Sequence, residues 1–501
     1  MTAENITAST PSYSAQLGLS GHPEGLRTLY FTELWERFSY YGMRALLTLF
    51  MVAPAAEGGL GFATANAARI YGNYTMAVYM LAILGGFIAD RIIGAKRAVL
   101  AGGWIIAAGH YALALPTQPT FYLGLILIVL GTGLFKPNIS ALVGALYSKD
   151  DSRRDAGFSL FYMGINIGAF VSPLVTGFLA QSATFKGWLA GAGFDPAYSW
   201  HWGFAAAGVG MTLAMLLFAR GSRNLKDPGE RDTALDSTFW KNAILVTLAT
   251  LALVAIALLS DSDGFLWLRW TFIVLPLAAI SYFLSKGGED NNRLAAIGVL
   301  FIASMIFFAV FEQMGTSMSL FGDQLTDNRV LGSAFPSSWY QAVNPIFVIL
   351  LAPVFALTWM RLGSRQPSAP VKFALGLACV AASFVLMVPA AQLAGAGKVS
   401  PLWLVGLFFL QTVGELFLSP VGLSTMTKLA PPRLSGIVLG VWFLAAAFGN
   451  KLAGVLGGSF DSDNTAGLAG FYMTQAGYVA AAALLLFCLS PWVKRLSGRD
   501  S

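Results

Sequence analysis

Charge is what this 501-residue chain has least of: only 11% of its residues are Asp, Glu, Lys or Arg, whereas 56% are apolar. A soluble domain carries about 25% charged residues, so the composition excludes a chain whose whole surface faces water. Cysteine is as scarce. Cys379 and Cys488 both fall inside apolar runs, where a thiol is expected to pack as a small hydrophobe rather than form half of a disulfide. Three histidines, His22, His110 and His201, do not make a metal cluster or a Ser/His/Asp set, and no phosphate-cradling glycine loop stands out. Neither an enzyme nor a cofactor is expected. The net charge of +6 reflects the topological bias described next and gives no support for nucleic-acid binding.

What is present is apolar length. A helix crossing the hydrocarbon core needs about 20 residues, and fourteen such runs fall between residues 28 and 493. The 54 glycines suit close helix packing in lipid. Lys and Arg in the connections alternate in density: twenty-one occupy one set, and only Arg69, Lys186, Arg269, Arg329 and Lys398 occupy the other. By the positive-inside rule this places both termini in the cytoplasm and makes the helix count even. Residues 1–22 are polar and lack the apolar core of a cleavable signal.

The longest polar connection divides the chain. Its expected organisation is a polar tail (1–22), a six-helix bundle (23–221), a linker with an inserted two-helix hairpin (222–290), a second six-helix bundle (291–494) and a short tail (495–501). A faint echo relates the bundles: Gly131-Thr-Gly-Leu-Phe-Lys-Pro137 in the fourth span and Gly414-Glu-Leu-Phe-Leu-Ser-Pro420 in the tenth. Between the second and third spans, Gly86-Phe-Ile-Ala89-Asp90-Arg91-Ile-Ile-Gly94-Ala-Lys96-Arg97 resembles the loop motif of the major facilitator superfamily. The expected fold class is therefore an all-α membrane protein with that fold, fourteen transmembrane helices in all.

Ionisable residues inside the spans are few, and burying them is costly enough that they must pair, face a cavity or carry function. They are Glu33, Glu36, Arg37 and Arg44 in the first span, Lys136 in the fourth, Glu312 in the seventh, Glu415 in the tenth and Lys451 in the eleventh, where it is expected to snorkel to the outer surface. Counting along the spans from their ends puts Arg44 level with Glu312, and Lys136 level with Glu415, each within about 3 Å at 1.5 Å per residue. Two ion pairs between the halves are expected: Arg44–Glu312 and Lys136–Glu415. Such pairs suit gates that close when opposite charges meet.

In Glu33-Leu-Trp-Glu36-Arg37 the acids lie one turn apart with the Arg beside them, a cluster suited to holding a proton. Tyr40, Tyr41 and Arg44 continue the stripe. Asn166 and Asn344 can each donate and accept, as a peptide group requires, although an interhelical hydrogen bond serves an isolated Asn equally. Tyr79, Phe311 and Trp442 are cavity candidates whose default role is packing.

The run Glu33-Leu-Trp-Glu36-Arg37-Phe38-Ser39-Tyr40-Tyr41-Gly42 resembles the E-x-x-E-R-F-x-Y-Y-G motif of the proton-dependent oligopeptide transporter family. Phe161-Tyr-Met-Gly-Ile-Asn166-Ile-Gly168 and Gly414-Glu415-Leu-Phe-Leu-Ser419-Pro420 are similar to two further motifs of that family. The resemblance implies proton-driven import of di- and tripeptides. Carried over, it puts Arg37, Arg44 and Lys136 at the peptide carboxylate, Glu415 at its amine, and Asn166 and Asn344 near its backbone. It also puts Tyr40, Tyr41, Tyr79, Phe311, Ser419 and Trp442 in side-chain pockets and makes Glu33, Glu36, Arg37 and Glu312 the proton-coupling group. Animal members use a histidine in the second span; none lies between His22 and His110 here, so coupling would rest on carboxylates. A monomer in a bacterial inner membrane is expected, with the lipid bilayer, peptides and protons as its partners. The alternative is transport of another small anion such as nitrate, against which Glu415 argues, since an anion has no amine for an acid to meet.

Overall fold

A computed structural model of the chain describes residues 19–148, 151, 153–225, 291–429 and 435–497, with scattered positions between 241 and 282. The expected inserted hairpin lies outside these continuous stretches. The helices are α1 (Glu24–Val52), α2 (Thr64–Ile88), α3 (Ala95–Leu113), α4 (Gln118–Ala145), α5 (Arg154–Gln181), the short α6 (Ala183–Gly191), α7 (Ser199–Gly221), α8 (Asn291–Phe311), the short α9 (Ser317–Gln324), α10 (Val343–Leu362), α11 (Ala369–Ala394), α12 (Leu402–Leu429), α13 (Ser435–Gly457) and α14 (Thr465–Ser497). A two-residue β-hairpin, Arg329–Val330 with Ser333–Ala334, decorates the connection after α9.

Ten segments among the described residues are long and apolar enough to cross a membrane. Helices α1 and α3 are long enough but fall short on composition. Every eighteen-residue window of α1 includes at least three of its charged side chains, and α3 begins with Lys96 and Arg97. The least apolar long helix is thus the one that carries the charge cluster.

Helices α1–α5 and α7 pack together, α1 against α5 and α7 and α3 against α4 and α7. Helices α8 and α10–α14 form the second set, centred on α11 against α12 and α14. The sets meet where α2 lies along α13 and where α5 touches α10 and the 3-10 segment Ser337–Ala342. In the first set, a Cβ on Gly102 of α3 would lie 2.6 Å from the Gly131 carbonyl oxygen, and one on Gly131 2.5 Å from that of Gly102. In the second, a Cβ on Gly376 of α11 would lie 2.9 Å from the Gly414 oxygen, and one on Gly414 2.8 Å from that of Gly376. The glycines that open the two echoing motifs therefore make the same contact, each letting its helix touch the backbone of the helix before it.

The prolines that close the motifs matter as well. Pro137 supplies no N–H for the Gly133 carbonyl four residues back, which loosens the turn carrying Lys136. Asn138 donates to the Leu134 carbonyl at 2.7 Å within that turn. Pro420 loosens α12 in the same way beside Glu415. Between α2 and α3 the chain makes a π-helical turn, Ala89–Ile93, and reverses at Gly94 with φ +81°, a conformation open to glycine. Both cysteines are free; Cys379 is half-buried and Cys488 is exposed. Packing as a small hydrophobe therefore does not hold for Cys488.

Candidate functional site

Helix α1 reaches its position because α5 offers it glycines. A Cβ on Gly164 would meet the Tyr30 ring at 3.0 Å, and one on Gly168 would meet the Arg37 Cβ at 3.1 Å. The Phe161–Gly168 motif is thus a docking strip for the charged helix. There Glu33, Glu36 and Arg37 are 3%, 1% and 4% exposed. Arg37 Nε lies 3.0 Å from Glu33 Oε1 and pairs also with Glu36. Its guanidinium stands 5.4 Å from the centre of the Tyr40 ring. Two acids share one Arg, so the three buried groups carry one surplus negative charge when both acids are ionised. A proton, or the nearby Lys136 ammonium, offsets that surplus.

Lys136, on α4, lies within electrostatic reach of Arg37, Glu36 and Glu33. Its ammonium stands over the Tyr79 ring at 4.1 Å, a cation–π contact.

About 10 Å beyond Arg37 along α1, Arg44 donates to the Glu312 carboxylate and to the Tyr71 hydroxyl. Glu312 occupies the 3-10 turn Glu312–Gly315 that separates α8 from α9. That turn is held from both halves. Thr48 of α1 donates to the Gly315 carbonyl at 2.6 Å, while Gln313 donates to Gln475 of α14 at 2.6 Å. The Arg44–Glu312 contact therefore ties the first set of helices to the second at a break in the backbone.

Lys136 and Glu415 are not brought together, and the second expected ion pair is corrected accordingly. Glu415 accepts instead from Asn344 Nδ2 at 2.9 Å, and the same amide donates to Thr412 at 2.9 Å. Tyr41 and Tyr162, both in the first set, lie within electrostatic reach of Glu415. The reason for the difference is geometric: a residue count along a helix gives height but not direction around the axis.

Other expected site residues are placed as follows. Asn166 bonds to the Tyr162 carbonyl of its own helix at 3.0 Å. Phe311 stacks on Phe307 at 5.3 Å. Trp442, 7% exposed, packs edge-on to Phe308 and against Gly422. Tyr41, Tyr79 and Ser419 are half-buried. Lys451 does not snorkel: it is 1% exposed and donates to Asn73 of α2 at 2.6 Å. Sequence reasoning missed Tyr71, Tyr162 and Thr412. Tyr162 stood inside a quoted motif, and Thr412 lies three residues before Glu415 on the same helical face, so a signal existed for both. Among 16 tyrosines nothing marked Tyr71.

Two packed sets of long apolar helices, with acids and bases turned toward the seam between them, define a multi-pass membrane transporter. The comparisons carry that class to a family. A model described as the POT family matches residues 96–471, and the chain belongs to that family. It is 41% identical over 506 residues to the uncharacterized transporter YclF of Bacillus subtilis, covering 98% of each chain. It is 38% identical to the peptide transporter YePEPT of Yersinia enterocolitica, over 95% of each. Among solved structures, a crystal structure of a mutant peptide transporter POT in complex with alafosfalin superposes with a TM-score of 0.84, at 39% identity and 96% coverage of both chains.

Proposed function

We propose that this transporter is a proton-coupled symporter that imports di- and tripeptides by alternating access. In this reading the fold is that of the major facilitator superfamily: two six-helix bundles and an inserted hairpin, fourteen transmembrane helices, with both termini in the cytoplasm of a bacterium and the chain in its inner membrane. A single copy suffices, since one chain carries both halves of the site.

The observation that carries the proposal is the separation of Lys136 from Glu415. No ion pair joins them, and each faces the seam from its own half, held by an uncharged partner, Tyr79 or Asn344. A zwitterionic peptide presents a carboxylate and an amine a few ångströms apart while its side chains vary. Opposite charges not joined to each other across a seam suit those ends and ignore sequence. In this reading Arg37, Arg44 and Lys136 form the carboxylate side and Glu415 the amine side. Asn166 and Asn344 lie near the backbone, and Tyr40, Tyr41, Tyr79, Phe311, Ser419 and Trp442 line the walls. Glu33, Glu36, Arg37 and Glu312 couple the proton, with Arg44–Glu312 as a gate. The relatives' printed names, peptide transporter among them, support the substrate class.

Inward movement of positive charge gains about 2.3 kcal/mol per charge per 100 mV, so a proton gradient can drive accumulation. The test is uptake of labelled dialanine into proteoliposomes with an inward proton gradient, with and without a protonophore. Accumulation abolished by the protonophore supports the reading; nitrate uptake without dialanine uptake overturns it.

A further inference from the structure

Lys451 has no place in the site described above, yet it is almost fully buried, 1% exposed, in a helix facing the opposite half. Its ammonium donates to the side-chain oxygen of Asn73 at 2.6 Å. The bond crosses from α13 to α2, where the two backbones nearly touch: a Cβ on Gly72 would lie 2.9 Å from the Gly454 Cα, and one on Gly454 2.8 Å from that of Gly72. Asn73 follows Gly72, and Lys451 precedes Gly454 by one helical turn, so bond and backbone contact occupy one patch. Two residues before Asn73 on α2 is Tyr71, which receives a hydrogen bond from Arg44. Residues two apart on a helix differ by about 3 Å in height and point to nearly opposite sides. At this level α2 is therefore gripped on one side by the Arg44–Glu312–Tyr71 group and on the other by Lys451.

We infer that Lys451 and Asn73 form a second latch between the two halves, at the same end as Arg44–Glu312, which must break whenever that end opens. The inference rests on the alternating-access reading. The physical basis is that the ammonium donates to Asn73 only while Gly72 and Gly454 are in contact. Parting α2 from α13 breaks this bond. The bond thus stabilises the closed arrangement at this end, whereas a purely architectural lysine would keep its partner in every conformation. Lys451 is a gating residue in this scheme and does not touch substrate.

The test is a distance measurement that requires no transport. Spin labels are placed at Ala56 and Asp463, exposed positions on the connections at this end, after Cys379→Ser and Cys488→Ser. Asn73→Leu is expected to raise the ratio of separated to close label pairs by about tenfold, the factor that ~1.4 kcal/mol produces. Asn73→Asp, which strengthens the acceptor, should shift the ratio the other way. In a Lys451→Met background, Asn73→Leu should have almost no further effect. Equal effects of Asn73→Leu with and without Lys451, or shifts in the same direction for Leu and Asp, overturn the latch. Dialanine uptake by the unsubstituted protein reports separately on the transport reading, so failure of one is distinguishable from failure of the other.

Discussion

Arg44 is 6% exposed and holds Glu312 on the far side of the seam. Removing one member of such a pair leaves the other charge buried and uncompensated, at a cost of about 3–5 kcal/mol. Glu312→Ala should therefore lower the thermal midpoint in detergent, and adding Arg44→Ala should recover part of the loss. A double variant as unstable as the sum of the two singles would show that the charges are not coupled. Asn344 is a second point where one atom matters. Its amide is a hydrogen-bond donor to Glu415, and a bond to a charged group is worth about 1.5–3 kcal/mol. Asn344→Ala should raise the dialanine KM by about tenfold or more, while Phe409→Leu on the exposed face of α12 leaves it unchanged; equal KM values for the two variants would remove Asn344 from the site. Counting residues along the spans placed Arg44 level with Glu312, and the two side chains meet. The same count misjudged Lys136 and Glu415. Height is legible in a sequence; azimuth depends on which face each helix turns to its neighbours, and Gly85, Gly133 and Pro137 set that for α4 through contacts no single helix encodes.

The two Gly-to-Pro motifs show what can be read from sequence at the scale of an element. Their six-residue spacing was visible, and the reciprocal contacts Gly102–Gly131 and Gly376–Gly414 give it a physical cause. Because a side chain at either glycine would press on backbone rather than on a movable side chain, Gly131→Val and Gly414→Val should each destabilise their own half by roughly 1–3 kcal/mol or more. Gly477→Ala on α14, where an added Cβ meets nothing within 4 Å, serves as the control. Thermal denaturation followed by size-exclusion recovery checks this. A loss at only one of the two positions would mean that the halves are not built alike at this crossing. The break between α8 and α9 was not legible. Residues 294–322 read as one continuous apolar run, since hydropathy registers composition and not hydrogen bonding. Thr48, from the other half, and Gln475, from α14, supply the side-chain bonds that stabilise the 3-10 turn Glu312–Gly315. A helix boundary created by tertiary partners leaves no local mark.

At the scale of the whole molecule the question is how proton entry is tied to movement of the halves. The Glu33–Glu36–Arg37 cluster lies on α1, and the same helix carries Arg44 about 10 Å beyond Arg37 and Thr48 beyond it, both bonded to the α8–α9 turn. The unbroken helix α1 therefore joins the acid cluster to the contact that ties the halves together. Composition made the membrane class legible, because it is a sum over many residues. The link through α1 was only half legible, since its far end depends on partners in another helix. If a proton at Glu33 accompanies every productive cycle, replacing that acid by an uncharged isostere should separate two activities. Counterflow exchange of dialanine, which needs the halves to rock but no net proton movement, should persist at a reduced rate in Glu33→Gln. Accumulation against a gradient should vanish in the same variant, because nothing then couples substrate to the proton. Both are measured in one set of proteoliposomes, loaded with unlabelled dialanine for counterflow and empty with an inward proton gradient for accumulation. Simultaneous loss of the two activities in protein that remains folded would place Glu33 in substrate binding or gating rather than in coupling. Retention of both would leave Glu36 or Glu312 as the acid through which the proton drives the cycle.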